Sequence, residues 1–355
     1  MATLHGITEL TKQIIKWIGI LLAFFLVLFI LLQMVLFLKN ILFPKAPPPP
    51  TVEFGVLPPI VFPESVKTPK LTYTLETVSG NLPVIPSTGK VHTISLDSPN
   101  LLALERAKSK VGSVGFNDLE KKLSDTEYAW ESSTEVLHKD IVMSTLTFNF
   151  RLTSNYTTYP PLQVLGDITS EESAKDSANR FFESIEAFPT DIDDTQTRTE
   201  LLTLKQGTFF PATSLSNANV VRVDFYQKNW DSLPIYYINP PGSTINALVA
   251  PDGEILEANF FHQTIAEKGA TYPLKTVSEA LEELKKGEAY IGRYTADTDA
   301  VKITDAFLTY YLGDTQQEYM MPIIVFKSTG DSFYAYVSAI RSEWIQKPKT
   351  TEQSK

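Results

Sequence analysis

The sequence contains no cysteine, which removes disulfide frameworks and thiolate metal sites from its chemistry. Basic clusters are nearly as scarce. Against 41 Asp and Glu stand 31 Lys and Arg, giving a formal charge of −10, and the longest basic runs are the pairs Lys121-Lys122 and Lys285-Lys286. Nucleic-acid binding needs clustered cations to displace counterions, so it is not an expectation for this chain. Nucleophile-elbow and phosphate-loop patterns are absent. The four histidines, His5, His92, His138 and His262, are isolated in sequence, whereas zinc or acid-base chemistry needs them to converge with carboxylates. No catalytic, cofactor-binding or metal-ligating residue is assigned from sequence.

Residues 17–38 carry no charge and one polar side chain, Gln33. A helix of roughly 22 residues rising about 1.5 Å each covers about 33 Å, enough to cross a hydrocarbon core of about 30 Å. The lipid bilayer is therefore the first expected partner. Lys12 and Lys16 on one side nearly balance Lys39 and Lys45 on the other, so flanking charge hardly orients the span. The long polar chain after it favours a signal anchor with residues 1–16 as a cytoplasmic tail and the rest translocated, a single-pass protein of the cytoplasmic membrane. Residues 39–70 follow as a proline-rich spacer, with nine prolines between Pro44 and Pro69. Consecutive prolines favour an extended, stiff segment. Within it Val52, Phe54, Val56 and Leu57 point to docking of one part as an edge strand.

Beyond the spacer the period alternates between strand and helix. Leu71, Tyr73 and Leu75 alternate with polar residues, and 91–95 reads as a second strand. Ser98-Pro99 reads as the start of a helix running to Val111, with Gly112 just past its end. Tyr128 and Trp130 share a strand face, and the strict alternation through Leu146, Phe148, Phe150 and Leu152 reads as one antiparallel strand. Thr169 and Glu172 form a capping-box pattern ahead of a stripe of Ala174, Ala178, Phe181, Phe182 and Ile185. Val221, Val223 and Phe225 then mark a strand, and Pro251-Asp252-Gly253 a hairpin. A second capping-box pattern, Thr276 and Glu279, opens a helix stopped by Gly287, and strands near 301–312, 319–326 and 333–340 complete the chain.

The expected fold class is α+β: a transmembrane helix followed by about three units of one helix with an antiparallel sheet, 71–162, 163–275 and 276–345, and a frayed tail at 346–355. His92 and His262 read as packed or edge residues. Asp191, Asp193 and Asp194 read as an acidic loop, as do Asp297 and Asp299, because neither has the glycine and distant Glu of a calcium loop. Asn155-Tyr156-Thr157 is a sequon with meaning only in a eukaryotic secretory route. Tyr310, Tyr311, Tyr319, Tyr334 and Tyr336 cluster in the last strands. Tyr334 and Tyr336 share one face and are the candidate partner-binding residues, while Phe333, Ala335 and Val337 take the face expected under the last helix.

The stretches INALVAPDGEILEANFF, VSEALEELKKGEAYIG and FYAYVSAI resemble those of YycI- and YycH-type membrane-anchored two-component regulators and of PepSY-like modules. The anchor and the proline-rich spacer, with LTYTLETVSGNLPVIP, also resemble uncharacterised single-span secreted proteins of candidate-phylum bacteria. The first resemblance implies control of a membrane partner such as a sensor histidine kinase. The sequence expectation is thus an extracytoplasmic interaction or sensory-adaptor protein with no enzymatic step and no cofactor; the alternative is a module that binds a cell-envelope polymer. Oligomeric state is not encoded in any pattern found.

The stripe on the second helix sets a test. Phe182→Asp is expected to cost several kcal/mol of stability, about the penalty of burying an unpaired charge, as read by denaturant melts; an unchanged midpoint means that the helical register is wrong.

Overall fold

A computed structural model of the protein describes residues 4–42, 49–95, 100–133, 137–296 and 298–347. The chain divides into two compact units, Met1–Pro49 and Pro50–Lys355. In the first, helix α1 (Leu4–Leu42) contains the segment Lys16–Phe37, which is long and apolar enough to cross a membrane and has none of its side chains buried. A membrane anchor and a signal sequence share that length and composition.

The second unit begins with β1 (Thr72–Leu75), β2 (Thr88–Ile94) and α2 (Ala103–Gly112). Next come β3 (Lys121–Lys122), β4 (Glu127–Ser133), β5 (His138–Ser144), β6 (Phe150–Ser154) and α3 (Glu171–Ser184). They are followed by β7 (Arg198–Lys205), β8 (Thr208–Pro211), β9 (Val220–Phe225), β10 (Ile235–Tyr236), β11 (Ile245–Val249) and β12 (Ile255–Phe260). The last group is β13 (Ile265–Pro273), α4 (Val277–Lys286), β14 (Tyr290–Tyr294), β15 (Ala300–Ile303), β16 (Asp305–Tyr311), β17 (Tyr319–Lys327) and β18 (Phe333–Ser338). The class is α+β, with large and mainly antiparallel sheets.

Strands β3 to β6 of the expected unit 71–162 and β7, β8, β9, β11 and β12 of 163–275 join in one nine-stranded sheet of order β3-β4-β5-β6-β12-β11-β9-β7-β8, whereas β1, β2, β10 and β13 pair elsewhere, so the first two units are not separate. The seam is the β6–β12 pair, Phe150 opposite Phe260 and Leu152 opposite Ala258. Alternation sends Ile141, Met143, Phe150, Leu152, Val221, Val223, Phe225, Ile245, Ala247, Ala258 and Phe260 to one face, where they pack with Ala107 and Val111 of α2 and Ala174, Ala178 and Phe182 of α3. Phe182 is 0% exposed, with the rings of Phe150, Phe225 and Phe260 around it.

The second sheet runs β10-β16-β17-β18-β14, with β2 bridging β17 to β13. Helix α4 covers one face through Val277, Ala280, Leu281 and Leu284, against Phe333, Ala335 and Val337 as the alternation requires. Its capping box is complete, and Gly287 ends it at φ 79°, a left-handed conformation that favours glycine.

Four local expectations are corrected. Residues 145–149 are the turn between β5 and β6 rather than the first half of one strand: Ser144 Oγ accepts the amides of Leu146 and Thr147, and Phe148 has φ 55°. Side-chain alternation there persisted through a turn. Helix α3 is capped by Ser170, whose side chain accepts from Ser173 N, and not by Thr169. Gly112 is the last helical residue of α2, and the left-handed position falls at Gly115; Ser98-Pro99 lie outside the described residues. The spacer, finally, is not a free rod along its second half. Val52 N donates to Thr271 O (3.0 Å), Leu57 N to Trp344 O (2.8 Å) and Val66 N to Ile291 O (2.9 Å). Leu57 is 0% exposed, and Phe62 stacks on Tyr290 at 5.3 Å. Instead of an edge strand there is one parallel bridge, Leu57 with Ile345, since Pro58, Pro59 and Pro63 supply no ladder donors.

A chain starting at Pro50 is accordingly expected to fold cooperatively without any reductant dependence. One starting at Pro69 loses the Leu57 and Phe62 contacts and should be less stable by several kcal/mol, on the order of deleting one or two core side chains. Equal denaturant midpoints for the two chains would show the docking to be energetically idle.

Candidate functional site

The face of the nine-stranded sheet opposite the helices has two regions. At one end Leu202, Val220, Leu248 and Leu256 are covered by Leu162, Tyr156 and Tyr159 of the segment that follows β6. At the other end the face stays open. Register places Val142, Arg151, Asn259, Asn246, Asp224 and Arg198 opposite one another in turn, one row across six strands. The connection from β10 to β11 and the turn after β16 wall this region into a cleft of about 660 Å³, within the range of small-ligand sites.

Hydrogen bonds fix the row. Arg151 Nε donates to Asn259 Oδ1 (3.1 Å), Asn259 Nδ2 to Asn246 Oδ1 (3.2 Å), and Asn246 Nδ2 to Ser243 O (2.7 Å). Arg222 grips Asp224 through Nε (2.8 Å) and its terminal nitrogen (2.9 Å), while Ser243 N donates to the same carboxylate (2.8 Å). Such two-pronged pairs are strong and directional. A Cβ on Gly242 would stand 2.9 Å from the Arg222 guanidinium and 3.1 Å from Asn239 O, so a larger residue there would push against this pair.

Two inward-packed His–Asp pairs, at His262 and His92, lie elsewhere, besides the more exposed His138 and Asp140. His262 Nε2 is 2.9 Å from Asp191 Oδ1, and Gln227 Nε2 donates to the other Asp191 oxygen (2.8 Å). His92, 2% exposed, has Nε2 2.8 Å from Asp231 Oδ2, which also accepts from Tyr310 (3.2 Å), while Lys90 reaches Asp231 Oδ1 (3.0 Å). Both histidines are packed residues, as read from sequence, and Asp191 is an ion-pair partner. Among the described residues no serine or threonine hydroxyl is bonded to either ring. Asp193 caps its own turn by accepting from Thr195 and Gln196, and Asp297 lies outside the described residues. Asn155 Oδ1 accepts from His138 N (2.8 Å). The β4–β5 hairpin sets Glu131 opposite Asp140 and brings His138 to them, ligand atoms within 4.8 Å of one another, a small set able to hold a cation that spacing alone did not reveal.

The partner-binding expectation for Tyr334 and Tyr336 is overturned. They are 1% and 0% exposed, in a cluster with Tyr290, Tyr311, Ile323 and Val325 that Phe62, Tyr236 and Ile238 cover. A face that alternation left vacant is filled by segments remote in sequence. Their hydroxyls donate to Asp331 and to Tyr237 O, and burial raises both pKa values above the ordinary 10.0. The cleft residues were missed because Arg151, Asn246 and Asn259 are scattered; the available signal was Asn inside apolar strands, where it is disfavoured.

The carboxyls of the His–Asp pairs set an acid dependence. Burial raises the Asp191 pKa, but the His262 bond and charge and the Gln227 amide outweigh it, leaving it below the ordinary 3.8. For Asp231 burial is likewise outweighed, by Lys90 and His92. Depressed folded-state values mean that these groups stabilise fully above about pH 4 and lose that contribution as pH falls through the folded values. Asp191→Asn with Asp231→Asn is expected to lower the thermal midpoint near neutrality and to flatten its fall in acid below about pH 4. An unaltered acid limb would contradict the pairing.

No family model matches the sequence, and no curated protein does. Among solved structures the chain is similar to an uncharacterised protein from Eubacterium rectale at 13% identity and a TM-score of 0.35, over 72% of this chain and 84% of that one.

Proposed function

We propose that the protein is a membrane-anchored extracytoplasmic recognition protein, an interaction or sensory adaptor with no catalytic step of its own, and that its recognising element is the cleft on the open face of the nine-stranded sheet. The observation that carries this reading is a row of side chains, from Arg151 to Asn246, held in place by mutual hydrogen bonds on a sheet backed by two helices. A rigid element that lines an open cavity with polar groups already fixed in position is suited to binding, because little order is lost when a ligand arrives.

Anchor and order of elements support the remainder. The apolar segment Lys16–Phe37 supports a single-pass protein, with the mass after it translocated. One helix followed by antiparallel strands occurs with α2, α3 and α4, the order expected of three helix-and-sheet units, with the strands after α2 and α3 sharing one sheet. Resemblance to YycI- and YycH-type regulators supports a membrane protein, such as a sensor kinase, as the receiver of the signal. The second reading, recognition of an envelope polymer, is favoured by the polar lining of the same cleft.

Two measurements check this. A phosphatase reporter fused after Lys347 is expected to be active outside the cytoplasm, and activity of a cytoplasmic reporter at that position instead would reverse the orientation. A photoreactive residue in place of Arg151 should give adducts in intact cells that one in place of Lys285, on α4, does not. Equal labelling from both positions would remove the cleft from its proposed role.

A further inference from the structure

On the reading of the cleft as the recognition site, we infer that its ligand is an uncharged oligosaccharide, held by the amides of Asn246 and Asn259, the guanidinium of Arg151 and the ring of Phe261. The hydrogen-bond chain fixes which end of each amide is which, since Asn246 accepts through Oδ1 and donates through Nδ2. After those bonds each amide retains a second N–H and a second lone pair, Asn259 half-buried at the cleft surface and Asn246, 7% exposed, at its floor. The row therefore offers donors and acceptors in alternation at fixed positions. An anion would ask for donors alone and a cation for acceptors alone. A sugar hydroxyl both donates and accepts, and vicinal hydroxyls repeat that pattern along a ring.

Charge points the same way. Arg222 is closed on Asp224, and Glu127 and Asp314, which line the same cleft, more than offset Arg151. No excess of cations remains for phosphate or for an acidic polymer. Phe261, Val142 and Ile238 add apolar surface to the lining. An aromatic ring beside amides matches the C–H face of a pyranose, whose edge carries the hydroxyls. Peptide recognition by strand addition has no edge here: β6, β12, β11 and β9 are interior strands, with main-chain donors and acceptors engaged on both sides. The volume of about 660 Å³ suits a short oligosaccharide segment rather than a single ring.

The test uses the full chain in lipid nanodiscs, which avoids sugar-headed detergents, with calorimetric titration of chitotetraose, cellotetraose and an end-blocked uncharged tetrapeptide. Saturable binding of at least one tetrasaccharide is expected. Arg151→Gln, Asn259→Ala and Phe261→Leu should each weaken it at least about tenfold, the loss of about 1.4 kcal/mol, with the thermal midpoint of Arg151→Gln and Phe261→Leu nearly unchanged, whereas Lys285→Gln should leave binding intact. Binding of the peptide alone would overturn the saccharide assignment while keeping the cleft as a recognition site. Binding of neither class, or saccharide binding indifferent to all three cleft variants, overturns the inference outright.

Discussion

The excursion between β9 and β11 is the constraint on which the rest of the second unit depends. After Phe225 the chain leaves the nine-stranded sheet, lends β10 to the edge of β16 in the other sheet, and returns at Ile245. Such an irregular segment buries carbonyls and amides that no ladder satisfies, and each needs a partner. Tyrosine hydroxyls supply them. Tyr336 donates to Tyr237 O, Tyr290 to Ile238 O and Tyr226 to Pro241 O, while Tyr237 accepts from Gln227 N. Gln227 then ties the segment to Asp191 and to Gln263 O.

This gives the tyrosine cluster a structural meaning different from that of a contact surface. Phenols combine a large apolar body with one polar tip, so they fill a core and still reach a buried carbonyl. The segment they hold contributes Ile238, Asn239, Ser243 and Thr244 to the wall of the cleft. Tyr334 and Tyr336 thus bear on recognition at a distance, by fixing the wall. Docking of the proline-rich segment completes the arrangement, since Phe62 closes the tyrosine face against Tyr290, Tyr311 and Tyr336.

The candidate cleft arises from the sidedness of one sheet. Helices α2 and α3 occupy one face, so every second residue of β5, β6, β12, β11 and β9 must face the other way. Near Leu248 and Leu256 those residues are apolar and covered by a folded-back segment; near Asn246 and Asn259 they are polar and line the cleft. Because the two regions belong to the same strands, their separation is set by which segment folds back over which end. The His–Asp pairs stand beside this division: Asn149 accepts from His262 N, and the His262 ring bonds the loop that holds Asp191.

Local chemistry was legible in the sequence wherever one short segment decides its own state. The apolar run of α1, the buried stripe of α3 around Phe182, the capping box at Thr276 and Glu279, the Pro251-Asp252-Gly253 hairpin and the α4 face of Phe333, Ala335 and Val337 all follow from periodicity and turn chemistry within a few residues. Periodicity failed at 145–149, where alternation ran on through a turn, because side-chain pattern does not report the sign of φ. Tertiary structure alone decided the rest. Alternation says that Tyr334 and Tyr336 share a face, but not that Phe62 and Tyr236, far away along the chain, lie over it. Nor does it say that β6 meets β12, which sets Arg151 beside Asn259 and so creates the row that makes a cleft. Contacts between strands distant in sequence carry no local signature, since the same exposed or half-buried pattern serves a solvent face, a covered face and a binding face alike.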